Sequence, residues 1–212
     1  QNGDHSSPTD NASDVPSEDT SRTVNTTDVD EDERRRWQKP ELVIQQLGPL
    51  QDKVVADLGA GIGYFAFKLL PKSERVIAID VDKEKIGLLN AFKNSSSLRS
   101  DLKDKLDIRL ALPDNSLLKK EEADIILIVN TVAYIENRIS YFNHLKDALT
   151  PSGQIVIVDF KTKIIPEYVS APPYSEREYL HVLEEELMAA GFSIEKTDDT
   201  SLEFQYMISA RK

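Results

Sequence analysis

A carboxylate and three glycines at alternate positions follow a short apolar run near residue 60. The acid is Asp57, and the glycines are Gly59, Gly61 and Gly63. Glycine lets a backbone turn tightly and approach a ligand that a Cβ atom would hold away. A second apolar run ends in Asp80, whose carboxylate would suit the hydroxyls of a ribose. The pattern indicates a loop that binds a nucleoside-containing cofactor, although the glycines alone would also suit a tight strand-to-helix turn.

The spacing of the glycines separates this loop from the dinucleotide-binding fingerprint. That fingerprint is Gly-x-Gly-x-x-Gly, whereas this chain has Gly-x-Gly-x-Gly. Asp57 stands two residues before the first glycine, where its charge repels a pyrophosphate and attracts a cation. S-adenosylmethionine fits such a loop because it has an ammonium, a sulfonium and no phosphate. A nucleotide-dependent oxidoreductase is therefore disfavoured.

Alternating strands and helices must position these residues. Continuous apolar runs, typical of parallel strands that are buried on both faces, predict strands over residues 54–57, 76–80, 106–110, 124–130 and 154–159. Helical periodicity predicts helices over residues 33–50, 62–70, 82–93, 138–149 and 175–190. The last two runs, 192–195 and 204–210, lie too close together for a helical crossover. The sequence therefore predicts an α/β fold, a doubly wound and mostly parallel sheet with a C-terminal antiparallel hairpin. Pro151, Ser152 and Gly153 are expected to stop the chain before the fifth strand.

Acidic residues are concentrated at the start of the chain. The first 33 residues contribute −9 of the formal net charge of −11, and they hold almost no large apolar side chain. Such a composition cannot offset its ordering entropy by burial. We therefore expect a disordered acidic tail or linker over residues 1–32 and a single domain over 33–212. A nearly neutral domain without a basic stripe predicts no nucleic-acid partner.

Composition also bears on metals, membranes and location. The chain has no Cys and only three scattered His residues, which predicts neither a disulfide nor a metal site. No apolar stretch reaches the roughly 18 residues of a membrane helix. The chain starts at Gln1, so a removed export or lipidation signal before the hydrophilic tail is one alternative. A cytoplasmic location is the other, and the supply of cofactor favours it.

Four segments resemble the motifs of the class I S-adenosylmethionine-dependent methyltransferases. Residues 54–65 look like the first motif of that family, 76–82 like its second strand, and 124–130 like its fourth strand. Residues 149–154 are similar to the Leu-x-Pro-Gly-Gly turn before its fifth strand. The likeness covers residues 33–212 and implies a Rossmann-like sheet of seven strands in the order 3-2-1-4-5-7-6.

Two shorter segments, 37–40 and 159–161, are similar to a bacterial subgroup of the family without a settled substrate. Trp37, in the first of them, either closes over the cofactor or belongs to the core. By resemblance, Asp57 and the loop amides would hold the methionine portion, Asp80 the ribose and Val81 the adenine. Asp114 either orients the adenine amino group or belongs to a Pro-Asp-Asn turn. The expected cofactor-binding residues are Asp57, Gly59, Ala60, Gly61, Gly63, Tyr64, Asp80, Val81, Asp114, Asn130 and Thr131, with S-adenosylmethionine as cofactor and S-adenosylhomocysteine as product.

The region after the fourth strand departs from the subgroup. Asn130 and Thr131 either face the methyl group or cap the next element. Where the subgroup often has paired histidines, this chain has Ala133 and Tyr134, so no catalytic base is assigned. Positioning alone is able to accelerate methyl transfer, which leaves activity compatible with this change. The expected substrate-side residues are Tyr134, Glu136 and Asp159, each of which also suits a cap or a packing role.

Two functional interpretations remain open at this point. The first is methyl transfer to a small-molecule acceptor by a monomer or a weak homodimer. The second is a non-catalytic domain that binds S-adenosylmethionine or a related nucleoside as a sensor or an interaction module. The loss of the paired histidines is the feature that favours the second.

Overall fold

The computed structural model describes residues 26–212 of the chain. Its strands are β1 Val54–Leu58, β2 Arg75–Asp80, β3 Leu106–Leu110, β4 Ala123–Val129, β5 Leu149–Phe160, β6 Ser193–Asp198 and β7 Gln205–Arg211. Its helices are α1 Thr26–Gln38, α2 Pro40–Gln46, α3 Tyr64–Leu69, α4 Lys83–Asn94, α5 Ser100–Lys103, α6 Arg138–Ala148 and α7 Leu180–Ala189. Two short 3-10 helices cover Val132–Tyr134 and Tyr174–Glu176.

The seven strands form one sheet in the order β3-β2-β1-β4-β5-β7-β6. Strands β1 to β5 run parallel to one another, whereas β7 is antiparallel to both β5 and β6. The predicted doubly wound sheet, its order and its C-terminal hairpin are confirmed. The strand order reverses at β1, which pairs with β2 on one side and with β4 on the other.

Both faces of the sheet are covered by helices, as the apolar strands require. Ile126 and Leu127 are neighbours on β4, fully buried, and belong to two different hydrophobic clusters. The cluster around Leu127 takes in residues of α2, α3 and α4, such as Leu69. The cluster around Ile126 takes in residues of α6 and α7, such as Phe142 and Leu187. This arrangement leaves the carboxyl ends of the central strands as the place where loops gather.

The helix predicted over residues 33–50 is two helices, α1 and α2, rather than one. It breaks at Lys39, which adopts a left-handed conformation with φ 46°. The break follows from Pro40, the first residue of α2, because a proline disfavours a helical conformation in the residue before it. Pro40 itself is tolerated there, because the N–H that proline lacks has no helical partner at the first position of a helix.

The start of α1 also differs from the sequence prediction. A disordered acidic tail is expected over residues 1–32. Residues 1–25 of it lie outside the described residues, and the rest belongs to α1, which begins at Thr26. The end of α1 is anchored because Trp37 and Gln38 are buried. Within the described part of the chain, no helix is both long and apolar enough to cross a bilayer.

Strand β5 contains the segment that the sequence predicts as a stop before it. Leu149 pairs with Ala123, but the next pair along β4 joins Ile125 to Gln154. Three additional residues of β5 are therefore accommodated in a bulge, which includes Gly153. The turn residues interrupt the register without ending the strand.

Candidate functional site

A cavity of about 600 Å³ opens at the carboxyl ends of β1, β2 and β4. Its position is the point at which the strand order reverses, where ligands of open α/β sheets bind. The volume is in the range of small-molecule sites. Nine of the expected cofactor-binding residues line this cavity: Asp57, Gly59, Ala60, Gly61, Tyr64, Asp80, Val81, Asn130 and Thr131.

The loop after β1 contacts the turn after β4 through Gly59. This residue has φ 77°, and a Cβ atom placed on it would lie 2.1 Å from the Thr131 Oγ1. Only glycine permits this approach, so the two loops that line the cavity are fitted against each other. Gly61 has φ 58° and open space around the position of a Cβ atom, so its requirement is for the backbone conformation alone.

Asp57 is a buried carboxylate in the wall of the cavity. Its Oδ2 has no hydrogen-bond partner among the described residues. The pKa of Asp57 is raised to about 7, chiefly by burial and to a smaller extent by the nearby Asp80, against the lowering effects of a hydrogen bond from the Ala66 N–H and of the positive charge of Arg34. A buried carboxylate without a full set of partners is costly. A cationic ligand group in this cavity would remove much of that cost.

Asp80 ends β2 with its carboxylate held by two backbone amides. Its Oδ2 accepts from the Gly61 N–H at 2.7 Å, and its Oδ1 accepts from the Asp82 N–H at 2.9 Å. An ionised carboxylate has about four acceptor positions, so it is able to accept further hydrogen bonds from a ligand. Val81 follows with 55% of its surface exposed, and it lines the same wall.

The turn after β4 places Asn130 and Thr131 at the cavity. Asn130 adopts φ 55°, and its Oδ1 accepts from the Nε2 of the buried Gln205. The Thr131 Oγ1 donates to the Val129 carbonyl at 2.9 Å. Tyr134 lies on the 3-10 helix that follows, lines the cavity and is 67% exposed. The turn is thus fixed in place by contacts behind it, while Tyr134 faces the open side.

Two expected cofactor-binding residues do not line the cavity. Gly63 precedes α3, and a Cβ atom on it would meet the side chains of Phe67 and Leu89, so packing accounts for this glycine. Asp114 lies next to Pro113, which does line the cavity. Asp114 faces Tyr141, whose pKa burial and this negative charge raise to about 12.

Two expected substrate-side residues also lie elsewhere. Glu136 lines a separate surface depression beside α6. Asp159 is buried and accepts from the backbone N–H groups of Val132 at 3.1 Å and Phe160 at 2.7 Å. Burial raises the pKa of Asp159 to about 6. Its contacts make it a support for the turn after β4 rather than a group that reaches a substrate.

The cavity residues without a counterpart in the sequence prediction include Arg34, Lys85 and Tyr141. Arg34 lies one helical turn before Trp37, which also lines the cavity and packs on Phe160 with ring centroids 5.8 Å apart. The spacing of three between Arg34 and Trp37 places both on one face of α1. That spacing is the signal from which Arg34 could have been found.

Comparison with known proteins agrees with the fold that surrounds this cavity. A family model described as a methyltransferase domain matches residues 56–155. A S-adenosylmethionine-dependent methyltransferase structure from Aquifex aeolicus superposes with a TM-score of 0.75 at 20% identity, over 87% of this chain and 95% of that chain. A second, from Mesorhizobium loti, superposes with a TM-score of 0.67 at 16% identity, over 81% of this chain and 96% of that chain.

A curated relative from Ruthia magnifica subsp. Calyptogena magnifica is named tRNA U34 carboxymethyltransferase. It is 31% identical over 139 residues, which is 62% of this chain and 41% of the relative. Three further relatives at 25–26% identity bear the same name. The chain therefore spans about two fifths of the length of the curated relatives that it matches.

These relatives overturn the expected partners. A small-molecule acceptor and the exclusion of nucleic acid were expected, whereas all four names specify tRNA. The expectation was wrong because it used the net charge of the whole domain. Net charge governs long-range attraction and does not describe the shape or chemistry of one cavity.

The residues of the cavity fit S-adenosylmethionine. Asp57 provides a buried carboxylate oxygen that has no hydrogen-bond partner in the described part of the chain and is available to a cation, and Gly59 and Gly61 present no side chain to the cavity. The strand order, the position of the cavity and the match to a methyltransferase domain lead to the same family. The chain therefore carries a methyltransferase domain over residues 56–155, and its fold is that of the class I S-adenosylmethionine-dependent methyltransferases, with S-adenosylmethionine as the cofactor.

Proposed function

We propose that this chain transfers the methyl group of S-adenosylmethionine to a nucleobase of tRNA that enters the cavity beside Tyr134. The observation that carries the proposal is the position of the Tyr134 ring, which lines the cavity and is 67% exposed. Proteins stack single-stranded bases on such exposed aromatic faces. The names of the curated relatives support this class of acceptor. Both tRNA and the cofactor are made in the cytoplasm, so we propose that the chain acts there.

In this proposal different residues around the cavity bind different parts of the cofactor. S-adenosylmethionine supplies an electrophilic methyl group on a sulfonium. Asp57 faces its ammonium group, Asp80 accepts hydrogen bonds from the ribose hydroxyls and Val81 lies against the adenine. Asn130 and Thr131 lie on the acceptor side, next to Tyr134. Residues 33–212 act as one cofactor-binding domain.

The acceleration in this proposal comes from positioning rather than from a general base. Among the described residues, no histidine lines the cavity, and Asp159 is engaged by backbone amides behind the turn. Aligning a nucleophile with the methyl group supplies much of the barrier reduction in such a displacement. The residues around Tyr134 therefore have to hold the base in line and exclude water.

Transfer of a tritiated methyl group from S-adenosylmethionine tests the acceptor. The purified chain is incubated with total tRNA and with unmodified tRNA transcripts, and labelled nucleosides are identified after digestion. Tyr134→Ala should lower kcat/KM for tRNA by about fivefold to hundredfold, because stacking on one aromatic ring contributes about 1–3 kcal/mol. Its affinity for S-adenosylhomocysteine should be unchanged.

Tyr179→Ala is the matched control, since Tyr179 is also an exposed tyrosine but does not line the cavity. It should leave transfer to tRNA as in the unaltered chain. If the folded chain binds S-adenosylhomocysteine but labels no tRNA, the acceptor proposal fails while the cofactor assignment stands. Equal losses of kcat/KM for tRNA in Tyr134→Ala and Tyr179→Ala would mean that Tyr134 does not bind the base by stacking.

A further inference from the structure

The side chain of Arg34 enters the cavity from α1 and lies over the start of α3, directly after the glycine loop. Its guanidinium carbon lies 3.9 Å from the centroid of the Tyr64 ring and 5.9 Å from that of Phe65. Its positive charge acts on Asp57, whose pKa it lowers against the effect of burial. The cavity therefore holds an acidic and a basic group near the same loop.

A chain of buried amides fixes the position of Arg34. Its Nε donates to the Gln38 Oε1 at 2.6 Å, and the Gln38 Nε2 donates to the Gln205 Oε1 at 3.3 Å. Gln38 and Gln205 are both fully buried, and Gln205 also donates to Asn130. Such preorganisation lowers the entropy lost when the guanidinium binds a ligand.

We propose that Arg34 binds the carboxylate of the methionine portion of S-adenosylmethionine, while Asp57 faces the ammonium group of the same portion. The α-amino acid end of the cofactor carries both charges, and a guanidinium offers a planar pair of donors that matches a carboxylate. Lys85 is the other cation that lines the cavity among the described residues. It is paired with Asp82 at 3.7 Å, close to Asp80 and thus on the ribose side. The opposed charges of Arg34 and Asp57 make the cavity selective for an intact amino acid end.

Calorimetric titration with two ligands tests this assignment without an acceptor. S-adenosylhomocysteine has the carboxylate, whereas 5′-methylthioadenosine lacks the whole amino acid end. Arg34→Gln should weaken binding of S-adenosylhomocysteine by about tenfold to hundredfold, the usual effect of a hydrogen bond to a charged group. It should leave binding of 5′-methylthioadenosine unchanged. Arg34→Lys should restore part of the lost affinity, since it keeps the charge without the planar fork.

The matched control is Arg36→Gln, which removes an exposed arginine from the same helix and should leave both affinities unchanged. A ligand variant, S-adenosylhomocysteine with its carboxylate replaced by a carboxamide, provides an independent test on the unaltered protein. Its affinity should fall by a similar factor, and combining it with Arg34→Gln should cost little more, because both changes remove one interaction.

Three results would overturn the proposal. Equal losses for both ligands in Arg34→Gln would show that Arg34 only supports the loop, and undiminished binding of the carboxamide would place the carboxylate elsewhere. If the effects of Arg34→Gln and of the carboxamide ligand were fully additive, Arg34 and the ligand carboxylate would not interact with each other. The proposal rests on the cofactor and not on tRNA, so the absence of transfer to tRNA leaves it unaffected.

Discussion

The buried carboxylate of Asp57 makes cofactor binding depend on pH. Burial raises its pKa to about 7, so near neutral pH the carboxyl group is partly protonated before a ligand binds. An ammonium group favours the ionised form. Affinity for S-adenosylhomocysteine should therefore rise as the pH increases from about 6 to about 8 and then level off. Titration calorimetry across this range measures the effect, with Arg34 and Asp80 left intact as the charges that act on Asp57.

Asp57→Asn is the control for that pH profile, because an amide does not titrate in this range. The variant should bind S-adenosylhomocysteine weakly at every pH, with a flat profile. Although the variant should bind the ligand more weakly than the unaltered protein, it should be the more stable of the two at about pH 8 when no ligand is bound. A carboxyl group whose folded pKa is raised contributes most to stability at low pH and loses that contribution as the pH rises through about 4 to 7. Asp57→Asn should therefore melt at a higher temperature than the unaltered protein at pH about 8, and a lower melting temperature there would contradict this account.

The contact between the loop after β1 and the turn after β4 depends on one missing side chain. At Gly59 a methyl group would meet Thr131 at 2.1 Å in addition to requiring φ 77°. Gly59→Ala should cost about 1–2 kcal/mol for the left-handed conformation and about 1–3 kcal/mol more for the displaced loop. Denaturant unfolding measures this loss of stability, and affinity for S-adenosylhomocysteine should fall with it.

Gly48→Ala isolates the conformational part of that loss. Gly48 has φ 76°, nearly that of Gly59, but nothing lies within 4 Å of the position of its Cβ atom. It should lose only the smaller amount of stability and keep its affinity for the ligand. Similar losses of stability and affinity in the two variants would mean that the contact with Thr131 does not hold the loops in register.

At the scale of elements, local patterns were predictable from the sequence and breaks in them were not. Apolar runs such as the one in β4 located the strands because both of their faces are buried. The early start of α1 was missed because its polar composition says nothing about the burial of Trp37 and Gln38 at its end. The bulge in β5 was missed because a Pro-Ser-Gly sequence indicates a turn and does not reveal that pairing with β4 continues.

The cavity was predictable where its residues are close in sequence. Asp57 and the glycines belong to one short segment, and Asp80 is the last residue of a strand that pairs with β1. Arg34 and Tyr141 come from helices that only tertiary packing brings to the cavity. The spacing of Arg34 from Trp37 places both on one face of α1, but it does not show that this face meets the cavity. Asp159 was expected on the substrate side but is buried behind the turn after β4. Its burial depends on the packing of neighbouring elements, which the local sequence does not reveal.

For the molecule as a whole, cofactor binding should raise thermal stability. The walls of the cavity come from α1, from the ends of three central strands and from Tyr168 after β5, so a bound ligand joins segments that are distant in sequence. At a concentration about 100 times the dissociation constant, a ligand adds about 2.7 kcal/mol of stability. For a chain of this size, the melting temperature should rise by about 5–10 °C with S-adenosylhomocysteine.

The nucleoside adenosine, which lacks both the sulfur and the amino acid end, is a suitable control ligand for that measurement. At the same concentration it should raise the melting temperature much less. Asp80→Ala should remove most of the increase with either ligand, because both contain the ribose. A melting temperature that does not respond to S-adenosylhomocysteine in the folded chain would contradict the cofactor site.

The two outermost strands of the sheet carry charged side chains along their free edges. Strand β3 has Asp107 and Arg109, and Arg109 donates to Glu122 with both of its terminal nitrogens. Strand β6 has Glu195 and Lys196, both exposed. A further strand added at either edge would have to bury or displace these charges, which is unfavourable. The sheet therefore resists growth by edge-to-edge aggregation. This resistance protects the chain, because its central strands are apolar and β-branched, as fibril-forming segments are.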